Sequence, residues 1–325
     1  MISNSQTRRG WLCSCLALAL AAGCSTAPAR DSDPGSRAER RALEFLARDV
    51  PAWPRENGCF SCHNNGDAAR ALYTARHLGR AVPSASLRDT TAWLLRPANW
   101  EDNKGDPGFS DRRLANLQFA AALASATEAG DAKDQAALAL AAKRVAADQE
   151  ADGSWKIDDA NPAGSPATYG TVLATAMAAQ VLRLADTPDA AAALRKAEGW
   201  LAEIEPKHAF AAAAILLGQP SSGQRKVGLQ VIAQSRSSDG GWGPYADAPA
   251  EAFDTALVLL ALSRQPRSAE TAAMISRGRD FLVRLQEPDG SWPETTRPAG
   301  NQSYAQRLST TGWATLALLR TEIAQ

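Results

Sequence analysis

A short phrase of the form Asp-Gly-Ser/Gly-Trp recurs three times in this 325-residue chain and restricts its fold more than any other feature. The copies lie at 152–155, 239–242 and 289–292, each a few residues after a Gln. Their spacing fits a unit of about 45 residues, with a degenerate copy at 200–206 between the first two. Because such units bury their apolar faces against one another, the sequence predicts a stacked or closed repeat architecture.

The segments between these loops are Ala-rich and carry apolar residues at helical spacing. One set has a polar face and the other is apolar all round, which is typical of outer and inner helices. We predict outer helices at about 38–49, 85–97, 131–150, 188–204, 221–235 and 268–286. We predict inner helices at about 66–79, 112–128, 167–186, 207–217, 250–264 and 308–323. This strict alternation predicts an all-α fold, an α/α toroid of about six inner and six outer helices.

The connections between the two helix sets differ in length. Links from inner to outer helices are short, whereas most links from outer to inner helices are long, for example 151–166 and 236–249. The long loops should therefore emerge at one rim of the ring, beside the N-termini of the inner helices. In each repeated phrase we expect the Gly to adopt a positive φ and the Trp to pack between neighbouring helices.

The N-terminal region stands apart from the repeats. Two arginines precede an apolar run that is too short to span a bilayer, so we interpret residues 1–23 as a signal peptide. Cys24 follows small residues as in a bacterial lipobox, which predicts a lipidated N-terminus and a flexible tether over 24–37. The alternative is ordinary cleavage after small residues. We expect an exported lipoprotein, anchored to a membrane on its periplasmic side by this lipid, with the toroid over 38–325.

The Gln…Asp-Gly-Ser-Trp loops, followed by helices containing Thr-Ala-Leu, resemble the repeats of the prenyltransferase and squalene-cyclase superfamily over roughly 110–325. The resemblance implies an α6/α6 toroid with an apolar central cavity, but a fold alone does not fix an activity. The candidates to face that cavity are Tyr169, Phe253 and Asp254.

The best-known members of that superfamily use residues that this chain lacks. Squalene and hopene cyclases protonate their substrate with the middle acid of an Asp-x-Asp-Asp-Thr-Ala motif, whereas the matching stretch at 251–256 reads EAFDTA and places Phe253 there. Protein prenyltransferases hold zinc with Asp, Cys and His on the barrel helices, but no cysteine follows Cys62. We therefore expect neither of these activities, and the sequence leaves open whether the protein is an enzyme.

One long loop carries a different signal, Cys59-Phe-Ser-Cys62-His63. Cys-x-x-Cys-His is the attachment pattern of haem c, in which both thiols bind the porphyrin and the His ligates the iron. We therefore predict covalent haem on Cys59 and Cys62, with His63 as the axial ligand. His77 is the candidate distal ligand. Two alternatives stay open, a disulfide between the two cysteines and a zinc ion held by these four side chains.

The main functional prediction is thus an exported monohaem c-type lipoprotein with an electron-transfer or redox role, whose redox partner is unknown. The alternative is an enzyme or binding protein for an apolar, terpenoid- or lipid-like molecule in the toroid cavity. A third hypothesis is a non-catalytic module that binds lipid or glycan. The chain has 35 Lys and Arg against 35 Asp and Glu, so its charge gives no reason to expect a nucleic-acid partner.

Overall fold

The computed structural model describes residues 33–102, 111–158, 163–295, 297 and 303–322. In these ranges the secondary structure is helical, apart from an isolated β-bridge between Arg236 and Trp242. The predicted signal peptide and Cys24 lie outside the described residues. Among the helices in these ranges, none combines the length and the apolar character that crossing a membrane requires.

Twelve α-helices follow one another along the described part of the chain. They are α1 (Pro34–Asn57), α2 (Ala69–His77), α3 (Arg88–Leu94), α4 (Arg112–Glu128), α5 (Gln135–Ala147), α6 (Gly170–Ala185), α7 (Pro188–Glu203), α8 (Ala209–Leu217), α9 (Ser222–Gln234), α10 (Ala252–Ser263), α11 (Ala269–Leu285) and α12 (Tyr304–Arg320). A π-helical segment, Cys62–Ala68, leads directly into α2. Short 3₁₀ turns lie at Ser84–Ser86 and Pro97–Asp102.

The even-numbered helices form the inner layer of a closed ring. Every residue of α8 is buried, whereas the outer helix α9 buries only Gly228 and Ile232. Each inner helix packs against the next one, and α12 closes the ring by packing against α2 and the π-helical segment. The all-α toroid predicted from the sequence is confirmed, and the alternation of apolar and amphipathic helices is its physical cause.

Helix α1 is longer than the predicted outer helix. The carboxylate of Asp33 accepts a hydrogen bond from the backbone N–H of Ser36 at 2.9 Å, and Pro34 occupies the first turn, where its missing N–H costs nothing. The other end is closed by Gly58 with a φ of 66°. Residues 34–37, predicted as part of the tether, therefore belong to this helix.

Helix α1 also continues through Pro54, which has no N–H to give to the carbonyl of Val50. The side chain of Asn65 replaces that donor, because its Nδ2 lies 3.2 Å from the Val50 oxygen. Next to it, Nδ2 of Asn64 donates to the carbonyl of Asp49 at 3.3 Å. These two amides fix the start of the first inner helix to α1.

The three repeated loops have the predicted conformation. Their glycines have positive φ angles: 98° at Gly153, 94° at Gly240 and 94° at Gly290. Their indoles are buried, and each donates its N–H to the carbonyl ten residues earlier: Trp155 to Val145 (2.8 Å), Trp242 to Ile232 (2.7 Å) and Trp292 to Leu282 (2.8 Å). Each loop therefore binds the end of an outer helix to the start of an inner one.

Candidate functional site

A cavity of about 400 Å³ lies inside the ring, between the C-terminal halves of the six inner helices. It opens at the rim opposite to the three repeated loops, because those loops precede the N-termini of α6, α10 and α12. Part of its wall is apolar and includes Met177, Val181, Leu260 and Leu316. Because the rest of the wall is polar, a cavity of this size suits a small ligand that has both an apolar and a polar part.

Aromatic side chains close the inner end of the cavity. Trp313 forms the floor, and the guanidinium carbon of Arg70 lies 4.2 Å from the centroid of its ring. Below the floor, Trp313 packs edge to face against Tyr169 and Phe253, at centroid distances of 5.6 and 5.5 Å. Phe210 extends this layer, 6.3 Å from Phe253. The layer separates the cavity from the rim that carries the repeated loops.

A buried carboxyl group, that of Asp67, lies beside this floor and is 1% exposed. The hydroxyl of Tyr169 donates a hydrogen bond to its Oδ1, and Nε2 of Gln118 donates to its Oδ2 at 2.7 Å. Nη1 of Arg70 lies 3.8 Å from Oδ1. Burial and the neighbouring Asp67 raise the pKa of Tyr169 well above its usual value, so its hydroxyl stays neutral and acts as a donor.

Small residues allow the helices to approach closely around Asp67. A Cβ on Gly66 would lie 3.0 Å from Cβ of Gln118, and one on Gly312 would lie 2.8 Å from the carbonyl oxygen of Asp67.

Tyr169 itself has a φ of 61°, which is uncommon for a residue with a side chain. This strained backbone directs the phenol towards Asp67, and backbone strain of this kind is frequent at functional sites.

The stretch that matches the cyclase motif has a different environment. Nη1 and Nη2 of Arg297 donate to the two carboxylate oxygens of Asp254 at 3.0 and 3.1 Å, and Nη1 also donates to Glu251 at 2.7 Å. Burial raises the pKa of Asp254, the positive charge of Arg297 opposes this shift, and Glu251 adds to it. Phe253 lies in the aromatic layer. Asp254 is therefore held in an ion pair at the N-terminus of α10, away from the cavity wall.

The residues of the Cys-x-x-Cys-His loop are not arranged around a common centre. Cys62 is buried in the π-helical segment, and burial raises the pKa of its thiol to about 12. Both Cys59 and Cys62 are free thiols. Nδ1 of His63 forms a 2.8 Å hydrogen bond with the hydroxyl of Ser309, and burial lowers the pKa of its imidazole.

His77 lies at the other end of the same inner helix, with its Nδ1 2.8 Å from the carbonyl oxygen of Glu128. At 1.5 Å per helical residue, the backbones of His63 and His77 are about 20 Å apart. The two imidazoles therefore cannot flank one iron, and they cannot share one zinc ion.

Sequence reasoning named Tyr169 but missed its partner Asp67. The available signal was an acidic residue near the start of a predicted apolar inner helix, where a charge needs a buried partner. The adjacent Cys-x-x-Cys-His pattern was interpreted as a haem site, so Asp67 was not considered. Gln118 and Tyr169 are 51 and 102 residues away from Asp67, so only the closed ring brings the three together.

Comparisons with known proteins give one similar sequence and several similar folds, while no family model matches the chain. Drimenyl diphosphate synthase from Streptomyces showdoensis is 35% identical over 72 residues, which is 22% of this chain and 13% of that protein's length. A variant of the type II terpene cyclase MstE from Scytonema, in complex with geranylgeranyl dihydroxybenzoate, has a TM-score of 0.58 at 14% identity, covering 89% of this chain and 97% of that one. The ent-copalyl diphosphate synthase from Streptomyces platensis has a TM-score of 0.52 at 19% identity, covering 78% and 50%.

These findings overturn the prediction of haem c, and with it the iron site and the electron-transfer role. The three similar proteins named above are a type II terpene cyclase and two diphosphate synthases. Within the described ranges, no group of three or more His, Cys, Asp or Glu side chains is arranged to hold a metal ion. The spacing of Cys59, Cys62 and His63 fitted the attachment pattern, but the fold uses the segment after Cys59 to start an inner helix. The chain has the toroid fold of the type II terpene cyclases.

Proposed function

We propose that the central cavity binds an apolar prenyl-type molecule and that Asp67 starts its cyclisation by donating a proton. The observation that carries this proposal is the buried Asp67 carboxyl, which is held by Tyr169 and Gln118 and lies 3.8 Å from Arg70, a lining residue of a cavity whose wall is apolar in part. The names of the similar proteins support it, because they describe a cyclase bound to a geranylgeranyl compound and two terpenoid diphosphate synthases.

The environment of Asp67 can serve both of its protonation states. When the carboxyl is ionised, it accepts from Tyr169 and Gln118, and the positively charged Nη1 of Arg70 lies 3.8 Å from it. When it is protonated, it needs an acceptor, and Oε1 of Gln118 is buried without a partner. A rotated Gln118 amide presents this oxygen to the carboxyl proton. The site therefore offers donors to the carboxylate that remains after the proton has left.

In the proposed step, the O–H bond of the Asp67 carboxyl breaks and a C–H bond forms at the terminal double bond of the prenyl chain. The positive charge remains on the tertiary carbon, and the next double bond attacks it to close a ring. Loss of one proton from the final cation to water gives the neutral product, and Asp67 regains a proton from solvent. The reaction is an isomerisation that needs no other reactant.

The floor of the cavity can stabilise the cationic intermediate. An aromatic face attracts cations through its quadrupole, and the face of Trp313 already accommodates the guanidinium of Arg70. Arg70 contacts both the cavity and Asp67, so its side chain must move aside when the prenyl end reaches the acid. Phe253 and Tyr169 hold the Trp313 ring in place from below.

The test is incubation of the purified protein with farnesol, geranylgeraniol and geranylgeranyl dihydroxybenzoate, followed by mass spectrometry of cyclic isomers. Asp67→Asn should reduce product formation by at least about 100-fold, because it removes the general acid, while prenyl binding persists. Asp254→Asn is the matched control and should retain product formation. Retained activity in a folded Asp67→Asn variant, or binding without cyclisation in the wild type, would overturn the proposed role of Asp67.

A further inference from the structure

The open end of the cavity is rich in guanidinium groups. Arg264 follows the last residue of α10, and Arg320 is the last residue of α12. Both belong to the cavity lining, together with one carboxylate, that of Glu128. Arg320 lies 4.0 Å from Glu128, which offsets its charge. Among the described residues, Arg264 has no carboxylate within ion-pair distance.

The hydrogen bonds of Arg264 fix the orientation of a second side chain of the cavity lining, that of Gln180. Its Nη1 donates to the carbonyl of Leu217 at 2.9 Å, and its Nη2 donates to Oε1 of Gln180 at 3.0 Å. Because the oxygen of this amide faces Arg264, its Nε2 points away and is buried without an acceptor. Gln180 also lines the cavity. A buried donor without a partner is costly, so the arrangement favours a ligand that supplies an oxygen atom.

The charges around Arg264 favour a ligand with a negative charge. Burial and the like charges of Arg320 and Arg70 lower the pKa of Arg264 to about 10, while the carboxylate of Glu128 raises it. Arg183 is a further cation nearby that lowers it. One anionic group at this position would remove the repulsion between the guanidinium groups.

We propose that Arg264, Arg320 and Gln180 bind the carboxylate head group of a prenyl acid whose hydrocarbon tail fills the cavity. This inference rests on the proposed function and extends it to the substrate class. Arg320 and Trp313 are seven residues apart on α12, which corresponds to about 10 Å along the helix. A head group at the mouth therefore places the far end of a folded prenyl chain near Trp313 and Arg70 at the floor.

The test compares geranylgeranoic acid with geranylgeraniol, which share one hydrocarbon chain and differ in the charge of the head group. Isothermal titration with the wild type should give an affinity at least about tenfold higher for the acid, as charge-assisted hydrogen bonds to a carboxylate imply. Arg264→Gln should remove this preference, because it lowers the affinity for the acid towards that for the alcohol. Arg267→Gln, on the same rim but outside the cavity lining, is the matched control and should keep the preference.

The outcomes separate the two proposals. Equal affinity of the wild type for acid and alcohol would overturn the head-group site and leave cavity binding intact. Loss of the preference in Arg267→Gln as well would show a general effect of surface charge and would also overturn the site. Failure of both compounds to bind would overturn the proposed function itself.

Discussion

Arg297 donates hydrogen bonds to both carboxylate oxygens of Asp254, at 3.0 and 3.1 Å, although the two residues are 43 positions apart in the chain. The same guanidinium binds Glu251 at 2.7 Å and Gly164 O at 2.7 Å. It therefore ties three segments together at the rim of the repeated loops. In this chain the motif position that matches a cyclase acid stabilises the fold, and Phe253 completes the aromatic layer below it.

The first prediction concerns pH and Asp254, whose pKa is raised in the folded protein by burial and by Glu251. Between the usual carboxyl pKa and the raised value, the folded state keeps a proton that the unfolded chain has lost. The free energy of unfolding should therefore fall as pH rises through this window, with a slope of at most about 1.4 kcal/mol per pH unit. Asp254→Asn, measured by urea unfolding between pH 4 and 8, should lose this part of the slope.

The exposed Asp247 supplies the control for that measurement. Asp247→Asn should leave the pH dependence of stability as in the wild type. If Asp254→Asn has the wild-type slope, the folded protein does not retain the extra proton at this carboxyl.

The second prediction concerns the close approach of a repeated loop to helix α1. Gly290 has a φ of 94°, and a Cβ there would lie 2.3 Å from the carbonyl oxygen of Arg41. Gly79 has a φ of 75°, but a Cβ there would meet nothing within 4 Å. Gly79→Ala should thus cost only the strain of a positive φ, about 1–2 kcal/mol. Gly290→Ala should cost about 1–3 kcal/mol more, because the ring must open locally. If the two variants lose the same free energy of unfolding in urea, the loop can move away from Arg41 without a penalty, which would contradict the prediction.

Local rules explain why so much of the fold was predictable. The repeated Asp-Gly-Ser/Gly-Trp phrase specifies a positive φ at Gly153 and a buried indole at Trp155, and both features follow from short-range chemistry. The alternation of apolar and amphipathic helices likewise depends only on neighbouring residues. The C-terminal end of helix α1 was not predicted. The helix continues through Pro54 because the side chain of Asn65, which is distant in sequence, supplies the missing donor.

The site was less predictable because its partners are distant in sequence. The residues next to Asp67 in the sequence do not indicate that Tyr169 will bind it, and those next to Arg264 do not indicate its bond to Gln180. In contrast, Cys59, Cys62 and His63 form a compact pattern that matched a known attachment site, and the match was wrong. A short motif contains information only about residues that are close in sequence. Whether Cys62 is accessible to a cofactor depends on its burial, and that burial depends on how the whole ring closes.

The third prediction tests the different environments of the two thiols. Cys62 is buried and the pKa of its thiol is raised to about 12, whereas Cys59 is partly exposed. Because the thiolate is the reactive species, iodoacetamide at pH 8 should modify Cys59 at least about tenfold faster than Cys62 in the native protein. Peptide mass spectrometry measures both rates in one sample. In 6 M guanidinium chloride the two rates should converge, and a native Cys62 that reacts as fast as Cys59 would contradict the described burial.

The fourth prediction tests the bond between Tyr169 and Asp67 independently of any reaction. Tyr169→Phe removes a hydroxyl that donates to a buried carboxyl, so it should lower the free energy of unfolding by about 1.5–3 kcal/mol. Tyr73→Phe is the matched control, because the buried Tyr73 hydroxyl shares a 2.7 Å hydrogen bond with the neutral hydroxyl of Thr91 and should be worth about 0.5–1.5 kcal/mol. Urea unfolding at pH 7 gives both values. If Tyr169→Phe costs no more than Tyr73→Phe, the bond from Tyr169 to Asp67 is no stronger than a bond between neutral hydroxyls, and the argument that Tyr169 stabilises the carboxylate left after proton donation fails.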